Sequence, residues 1–368
     1  MKAKMPSLRR EPRVIHVVPA PFSSTDGIIG GAERYVHELA RHMADVRPTT
    51  LVSFGVHDRS EECGPLSIRV LGQSYFVRGQ RTNPIATGLL AELRKADIIH
   101  CHQQHIVASS LSAAFGRLTS TPVFVTDLGG GGWDVSGYLS TDSWYRGHLH
   151  ISEYSRRIFG HAENPRAHVI LGGVDSVKFS PDATVTRDGS VLFVGRLAPH
   201  KGIDLLIEAL PAAVPLRVIG RPFDDAYLRH LYTLAEGKSV MWDHNCDDRS
   251  LVTAYRRSSC VVLPSVYQST WSKQTAVPEL LGQTLLEAMA CGAPVVCTNV
   301  ASMPEIVLDG VCGAVVAPND VPALRAAIGA IVANPTLGER LGSAGRQRVL
   351  DVFNWTRVVD RCLKAYTS

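Results

Sequence analysis

The chain predicts an α/β protein built on two doubly wound parallel sheets. Three observations carry that prediction. A β-branched run, a glycine-rich loop and an amphipathic helix follow one another from Val14 onward. A polar connector interrupts the pattern near 180–190, with Ser180-Pro181-Asp182 and Arg187-Asp188-Gly189, and the same succession then restarts. The length, 368 residues, exceeds one typical core and suits two domains.

Taken in order, Val14 to Val18 reads as a buried strand, and the loop from Pro19 to Gly31 brings Gly27, Gly30 and Gly31. Val36, Leu39, Ala40 and Met43 then fall at the i, i+3, i+4, i+7 positions of a helix stripe. Ala96 to Cys101, running on into His102, and Val123 to Thr126 are the next strands. The glycines at 129–132 form a loop. In the second half Val191 to Val194 is a strand, Gly195 to Gly202 a loop, and Ile203, Leu206, Ile207 and Leu210 a helix stripe. Leu216 to Gly220, Ser239 to Trp242, Cys260 to Leu263 and Pro294 to Val296 read as strands. Asp320 caps a helix bearing Leu324, Ala327, Ile328 and Ile331.

Composition excludes several classes. A net charge of +4 is small for this length and gives no reason to expect nucleic acid, although a mildly basic surface suits an anionic substrate or a membrane face. Eight cysteines without a C-x-x-C pair read as reduced thiols of a cytoplasmic protein. No apolar stretch reaches the ~18 residues of a membrane span, and Met1 to Arg13 lacks the apolar run of a signal peptide.

The most informative block is residues 264–305. Glu279 precedes a Leu-Leu-Gly turn, and Glu287 lies in a short apolar helix closed by Cys291-Gly292. Free amides and the positive end of a helix favour anions, while carboxylates accept from sugar hydroxyls. Arg196 and Lys201, just past a strand end, add two cations for a diphosphate. The outline is a nucleotide-sugar site. A bare E-x7-E spacing is unspecific by itself, and two loop cations are more often solvated than functional. The surrounding order of strand, glycine turn, apolar helix and strand is what gives the pattern its weight.

The run E-L-L-G-Q-T-L-L-E-A-M-A-C-G-A-P-V-V resembles the donor-site block of family 4 retaining glycosyltransferases. The resemblance extends to G-G-A-E-R-Y-V-H-E-L-A at 30–40, A-D-I-I-H-C-H at 96–102, H-I-S-E-Y-S at 150–155, G-G-V-D at 172–175, V-L-F-V-G-R-L-A-P-H-K-G-I-D at 191–204 and F-N-W at 353–355. It implies the GT-B fold, two Rossmann-like domains facing across a cleft. An acceptor-binding domain would span 1–182 and a nucleotide-sugar domain 183–350, with a helix in 351–368 crossing back. It also implies transfer of a sugar from a nucleoside-diphosphate sugar to an acceptor hydroxyl with retention of configuration. On these residues, Glu287 would hold the ribose, and Glu279 the donor sugar. The backbone of Gly282, Gln283, Thr284 and Leu285 would take the phosphates. Arg196 and Lys201, after Gly195, would stabilise the leaving diphosphate, and Gly30 and Gly31 would let the first loop approach. His102 would hydrogen-bond the reacting sugar.

No D-x-D triplet occurs in the chain, which fits donor binding by protein cations without a metal or other cofactor. His100, His102 and His105 share no carboxylate or cysteine that completes a zinc pattern, so no metal is expected. The chain departs from the family where residues 266–278 separate Ser265 from Glu279, and Tyr267 or Trp271 there could wall the donor or the acceptor. Asp127 stands where the family often has histidine and could act on an acceptor hydroxyl or cap a loop. Two rival functions use the same fold: a nucleotide-sugar epimerase, which needs no acceptor, and a non-catalytic nucleotide-sugar-binding subunit.

Overall fold

The structure, a computed structural model, describes residues 11–19, 31–129, 132–271 and 274–368. Gly30, expected at the donor loop, and Lys273 of the 266–278 segment lie outside the described residues. Two compact units divide the chain. The first holds residues up to Ile151, His161–Ile170 and Val358–Ser368; the second holds Ser152–Gly160 and Leu171–Arg357.

The first unit carries β1 (Val14–Val17), α1 (Gly31–Ala44), β2 (Thr49–Phe54), β3 (Arg59–Cys63), β4 (Leu66–Leu71), β5 (Tyr75–Phe76), β6 (Pro84–Ile85), α2 (Leu89–Leu93), β7 (Ile98–His102), α3 (Val107–Thr119), β8 (Val123–Thr126) and β9 (Gly147–His150). The short α4 (Glu153–Ile158) goes with the second unit, and β10 (Ala167–Val169) returns to the first. The sheet order is β10-β9-β8-β7-β1-β2-β4-β3, parallel throughout except for β3 on β4. The stripe expected on α1 is buried at every position: Val36, Leu39, Ala40 and Met43.

The second unit is built from β11 (Val191–Val194), α5 (Ile203–Ala209), β12 (Leu216–Ile219), α6 (Asp225–Leu234), β13 (Val240–Asp243), α7 (Asp248–Arg257), β14 (Cys260–Leu263), α8 (Gln283–Ala290), β15 (Val295–Thr298), α9 (Met303–Ile306), β16 (Ala314–Val316), α10 (Val321–Val332) and α11 (Pro335–Val352). Its sheet runs β13-β12-β11-β14-β15-β16, all parallel, so the order reverses direction beside β11. Asp320 caps α10 by accepting from the Ala323 amide at 2.9 Å. The last helix, α12 (Trp355–Tyr366), starts in the second unit and ends in the first.

The expected divide at 182 and the observed one differ in detail. Residues 171–182 belong with the second unit, where the Val174 amide donates to the Phe353 carbonyl at 2.9 Å. The α4 segment belongs there because the Glu305 carboxylate accepts the first two amides of the helix, from Glu153 at 2.7 Å and Tyr154 at 2.6 Å. All eight cysteines are free thiols, and among the described residues no helix is long and apolar enough to cross a membrane.

Candidate functional site

In the second unit the candidate side chains meet at the carboxyl ends of β11 and β14. Gly202 ends a 3-10 turn in the left-handed region, at φ 65° and ψ 29°. A Cβ there would stand 2.1 Å from the Pro264 carbonyl oxygen, so glycine is required for the turn to pass under β14. Lys201, the last residue of that turn, reaches the Glu279 carboxylate, and the two side chains are 14% and 10% exposed. Glu279 Oε1 also accepts from Ser265 Oγ at 3.0 Å. A half-dry ion pair of this kind costs desolvation of both groups. Satisfying the carboxylate with a second donor offsets part of that cost and fixes its direction.

Helix α8 begins at Gly282, again left-handed at φ 71° and ψ 47°. Glycine supplies no capping side chain, so the first-turn amides carry the positive end of the helix dipole. Thr284 Oγ1 donates to the Val194 carbonyl at 3.1 Å and so fixes that helix start to the end of β11, next to Gly195 and Arg196. Leu285 is fully buried beneath. Gln283 Nε2 donates to the Gly173 carbonyl at 3.4 Å, while its Oε1 is buried without a partner. Glu287 is buried on the inward face of α8 and accepts from the Tyr255 hydroxyl at 2.9 Å. Arg196 is exposed, its guanidinium carbon 5.7 Å from the Phe223 ring centre. His200 is held down at about 4, by burial first and then by the charge of Lys201 beside it.

Described residues of the 266–278 segment pair across it, the Thr275 amide donating to the Tyr267 carbonyl at 2.8 Å, while its two aromatic side chains meet different partners. The Tyr267 hydroxyl accepts from the Ala301 amide at 2.8 Å. Trp271 instead stacks on His230 of α6, with ring centres 4.5 Å apart, and its neighbour Thr270 donates to Asp204 at 2.6 Å. The two aromatics therefore serve different neighbours, and neither is joined to Glu279.

The first unit has its own cluster. His16 and His100 are register partners on β1 and β7, and His102 lies two residues along on the same face. All three are buried, with His16 Nδ1 2.9 Å from His102 Nε2. His100 is held from both sides, Nε2 to Thr126 Oγ1 and Nδ1 to the Tyr366 hydroxyl, each at 2.8 Å. Burial keeps them neutral: His16 falls to about 3, and His100 and His102 lie well below the usual histidine range. His105, set aside in the sequence as a metal partner of His100 and His102, meets Ser136 Oγ at 2.9 Å. Asp127 is buried and accepts from the Gly129 amide at 2.8 Å, which makes it a loop cap in this structure; burial raises its pKa. Gly31 opens α1 with nothing within 4 Å of a built Cβ.

Sequence reasoning passed over three of these residues. Ser265 and Tyr255 orient the two carboxylates from distant segments and left no local pattern. His16 did leave one, a lone polar residue inside the apolar run Val14–Val18.

The family model for glycosyl transferases group 1 matches residues 178–348. A GDP-mannose-dependent alpha-(1-6)-phosphatidylinositol monomannoside mannosyltransferase of Mycolicibacterium smegmatis is 32% identical over 224 residues, 56% of this chain and 58% of that protein. The chain thus spans little more than half the length of that relative. An alpha-maltose-1-phosphate synthase of Mycobacterium tuberculosis is 30% identical over 275 residues, 64% of this chain and 67% of the synthase. Among solved structures, the sucrose-phosphate synthase of Thermosynechococcus elongatus superposes with a TM-score of 0.72 at 21% identity, over 97% of this chain and 98% of that one. Anabaena HepE in complex with UDP and glucose gives 0.71 at 18% identity, over 97% and 99% of the two chains. At these identities the structural likeness speaks to fold alone, the GT-B fold.

Proposed function

The chain belongs to the glycosyl transferases group 1 family, and from that premise we propose that it moves a sugar from a nucleoside-diphosphate sugar to an acceptor hydroxyl, retaining the anomeric configuration. One observation carries the reading: Lys201 and Glu279 are paired beside a glycine-started helix whose buried Glu287 follows about one turn on. The cation and the amides that open the helix suit phosphates, and the two carboxylates suit sugar and ribose hydroxyls.

Chemistry follows from charge. As the glycosidic bond breaks, negative charge gathers on the leaving diphosphate, and Lys201, Arg196 and the first amides of α8 lower the barrier by meeting it there. Glu279, held by Ser265 and Lys201, would orient the sugar, and Glu287 would take the ribose hydroxyls with Tyr255 fixing its remaining oxygen. The acceptor attacks on the same face, and a leaving phosphate oxygen takes its proton, so no enzymic nucleophile is needed. Protein cations do the work that a divalent ion does elsewhere. In the first unit His102, neutral and buried, would hydrogen-bond the reacting sugar, and Asp127 would serve the acceptor. We place the acceptor among bacterial glycans, glycolipids or secondary metabolites, and the relative named for a phosphatidylinositol monomannoside puts a glycolipid first.

Thermal unfolding against GDP, UDP, ADP, CDP and dTDP tests the reading. A nucleotide at 100 times its dissociation constant adds about 2.7 kcal/mol of stability. GDP is the first to try, given the relative named for GDP-mannose. One diphosphate standing out supports the donor site, and a flat response to all five removes it.

A further inference from the structure

A second group of side chains in the first unit lies outside the residues discussed so far. Asp142 opens a 3-10 turn, Asp142–Trp144, His148 is on β9, and His161 begins the segment leading to β10. One ring nitrogen of each histidine and a carboxylate oxygen of Asp142 lie within 4.8 Å of one another. His161 Nε2 stands 3.9 Å from Asp142 Oδ2. That is too far for a hydrogen bond. It is close to the ~3.4 Å that separates two ligands on one tetrahedral cation with bonds of about 2.1 Å.

The atoms behind these ligands are held as a metal site requires. His161 Nδ1 meets His150 Nε2 at 3.0 Å, which gives the ring a partner for its proton and leaves Nε2 directed at Asp142. Gln104 Nε2 donates to Asp142 Oδ1 at 2.5 Å, which leaves Oδ2, the oxygen nearer His161, without that donor. His148 is 1% exposed, yet its Nδ1 has no hydrogen-bond partner. A buried imidazole nitrogen without a partner is uncommon in a protein interior.

We propose that Asp142, His148 and His161 bind one divalent first-row transition-metal ion, zinc above others. Two imidazoles and one carboxylate form a mixed nitrogen and oxygen set of the kind zinc takes, whereas magnesium and calcium prefer oxygen alone. A cavity of about 400 Å³ lined by His105, Ser136, Tyr138, Thr141 and Asp142 opens beside the carboxylate and gives an ion its way in. Bound there, the ion fastens the 3-10 turn to β9.

The test uses the full chain, washed with chelator and titrated with zinc alone, with cobalt as a coloured substitute whose visible bands report tetrahedral nitrogen and oxygen ligands. The expected result is one equivalent per chain, weakened at least tenfold by Asp142→Asn and by His161→Gln, with circular dichroism unchanged in both. His102→Ala serves as the control and should leave zinc affinity as it was. The proposal is overturned if the wild-type chain takes up no zinc, or if both variants bind as well as wild type. It is overturned equally if His102→Ala is the substitution that abolishes binding, since the ion would then belong to the His16, His100 and His102 group.

Discussion

The two units share an architecture and differ in the electrostatics at their strand ends. In the second, charged groups meet: Lys201 with Glu279, Glu287 on Tyr255, Arg196 exposed beyond β11. In the first, six described histidines are buried, His150 among them, and burial holds His16, His100, His102, His148 and His161 towards the neutral form. The second unit is organised to meet a charged ligand, the first to hold neutral donors and acceptors in a dry interior. The two kinds of site should therefore fail under different perturbations.

Acid should separate them most. A histidine whose folded pKa is depressed adds stability that is complete above its unfolded value near 6.5 and is lost as pH falls towards the folded value, because the unfolded chain then binds the extra protons. Each such group costs about 1.4 kcal/mol per pH unit below 6.5. Among the described residues of the second unit only His200, at about 4, behaves this way. Hydrogen exchange between pH 7 and pH 5 should show the first unit losing protection first; simultaneous loss in both would break the comparison.

Charge removal should act the other way round. Lys201→Ala is expected to lower turnover by roughly 100-fold, the order seen when one stabilising donor is taken from a developing anion, and to lower the melting temperature of the second unit because Glu279 loses its cation. Turnover within threefold of wild type would remove Lys201 from the mechanism. Gly202→Ala comes next: left-handed backbone alone costs about 1–2 kcal/mol in a residue with a Cβ, and the contact with the Pro264 carbonyl adds to it. Denaturant unfolding should place that loss in the second unit. The smallest effect is Tyr366→Phe, which removes the hydroxyl at His100 and should cost about 1 kcal/mol in the first unit, with nucleotide affinity unaltered.

The second unit's candidate site was far more legible in the sequence than the first unit's cluster. Glu279, Gly282 and Glu287 fall within nine residues, because one turn and one helix deliver all three. The strand at 191–194 and the cap at Asp320 were equally plain, each set by local pattern. His16 and His102 are 86 residues apart and meet only through strand pairing. Asp142, His148 and His161 lie within 20 residues, but a 3-10 turn, a strand and a loop bring them together with no periodic spacing to mark it. The division of Tyr267 from Trp271 was hidden for a related reason, since the partner of Trp271 is a histidine on α6.

Helix α12 gives the molecule an order of assembly in time. Residues 358–368 are part of the first unit, yet they leave the ribosome only after every residue of the second. His100 therefore waits for Tyr366 while some 250 further residues are made, ~15–50 s at usual translation rates. The unit synthesised first is the last to be finished, and its His100 ring is without the Tyr366 hydroxyl for that interval.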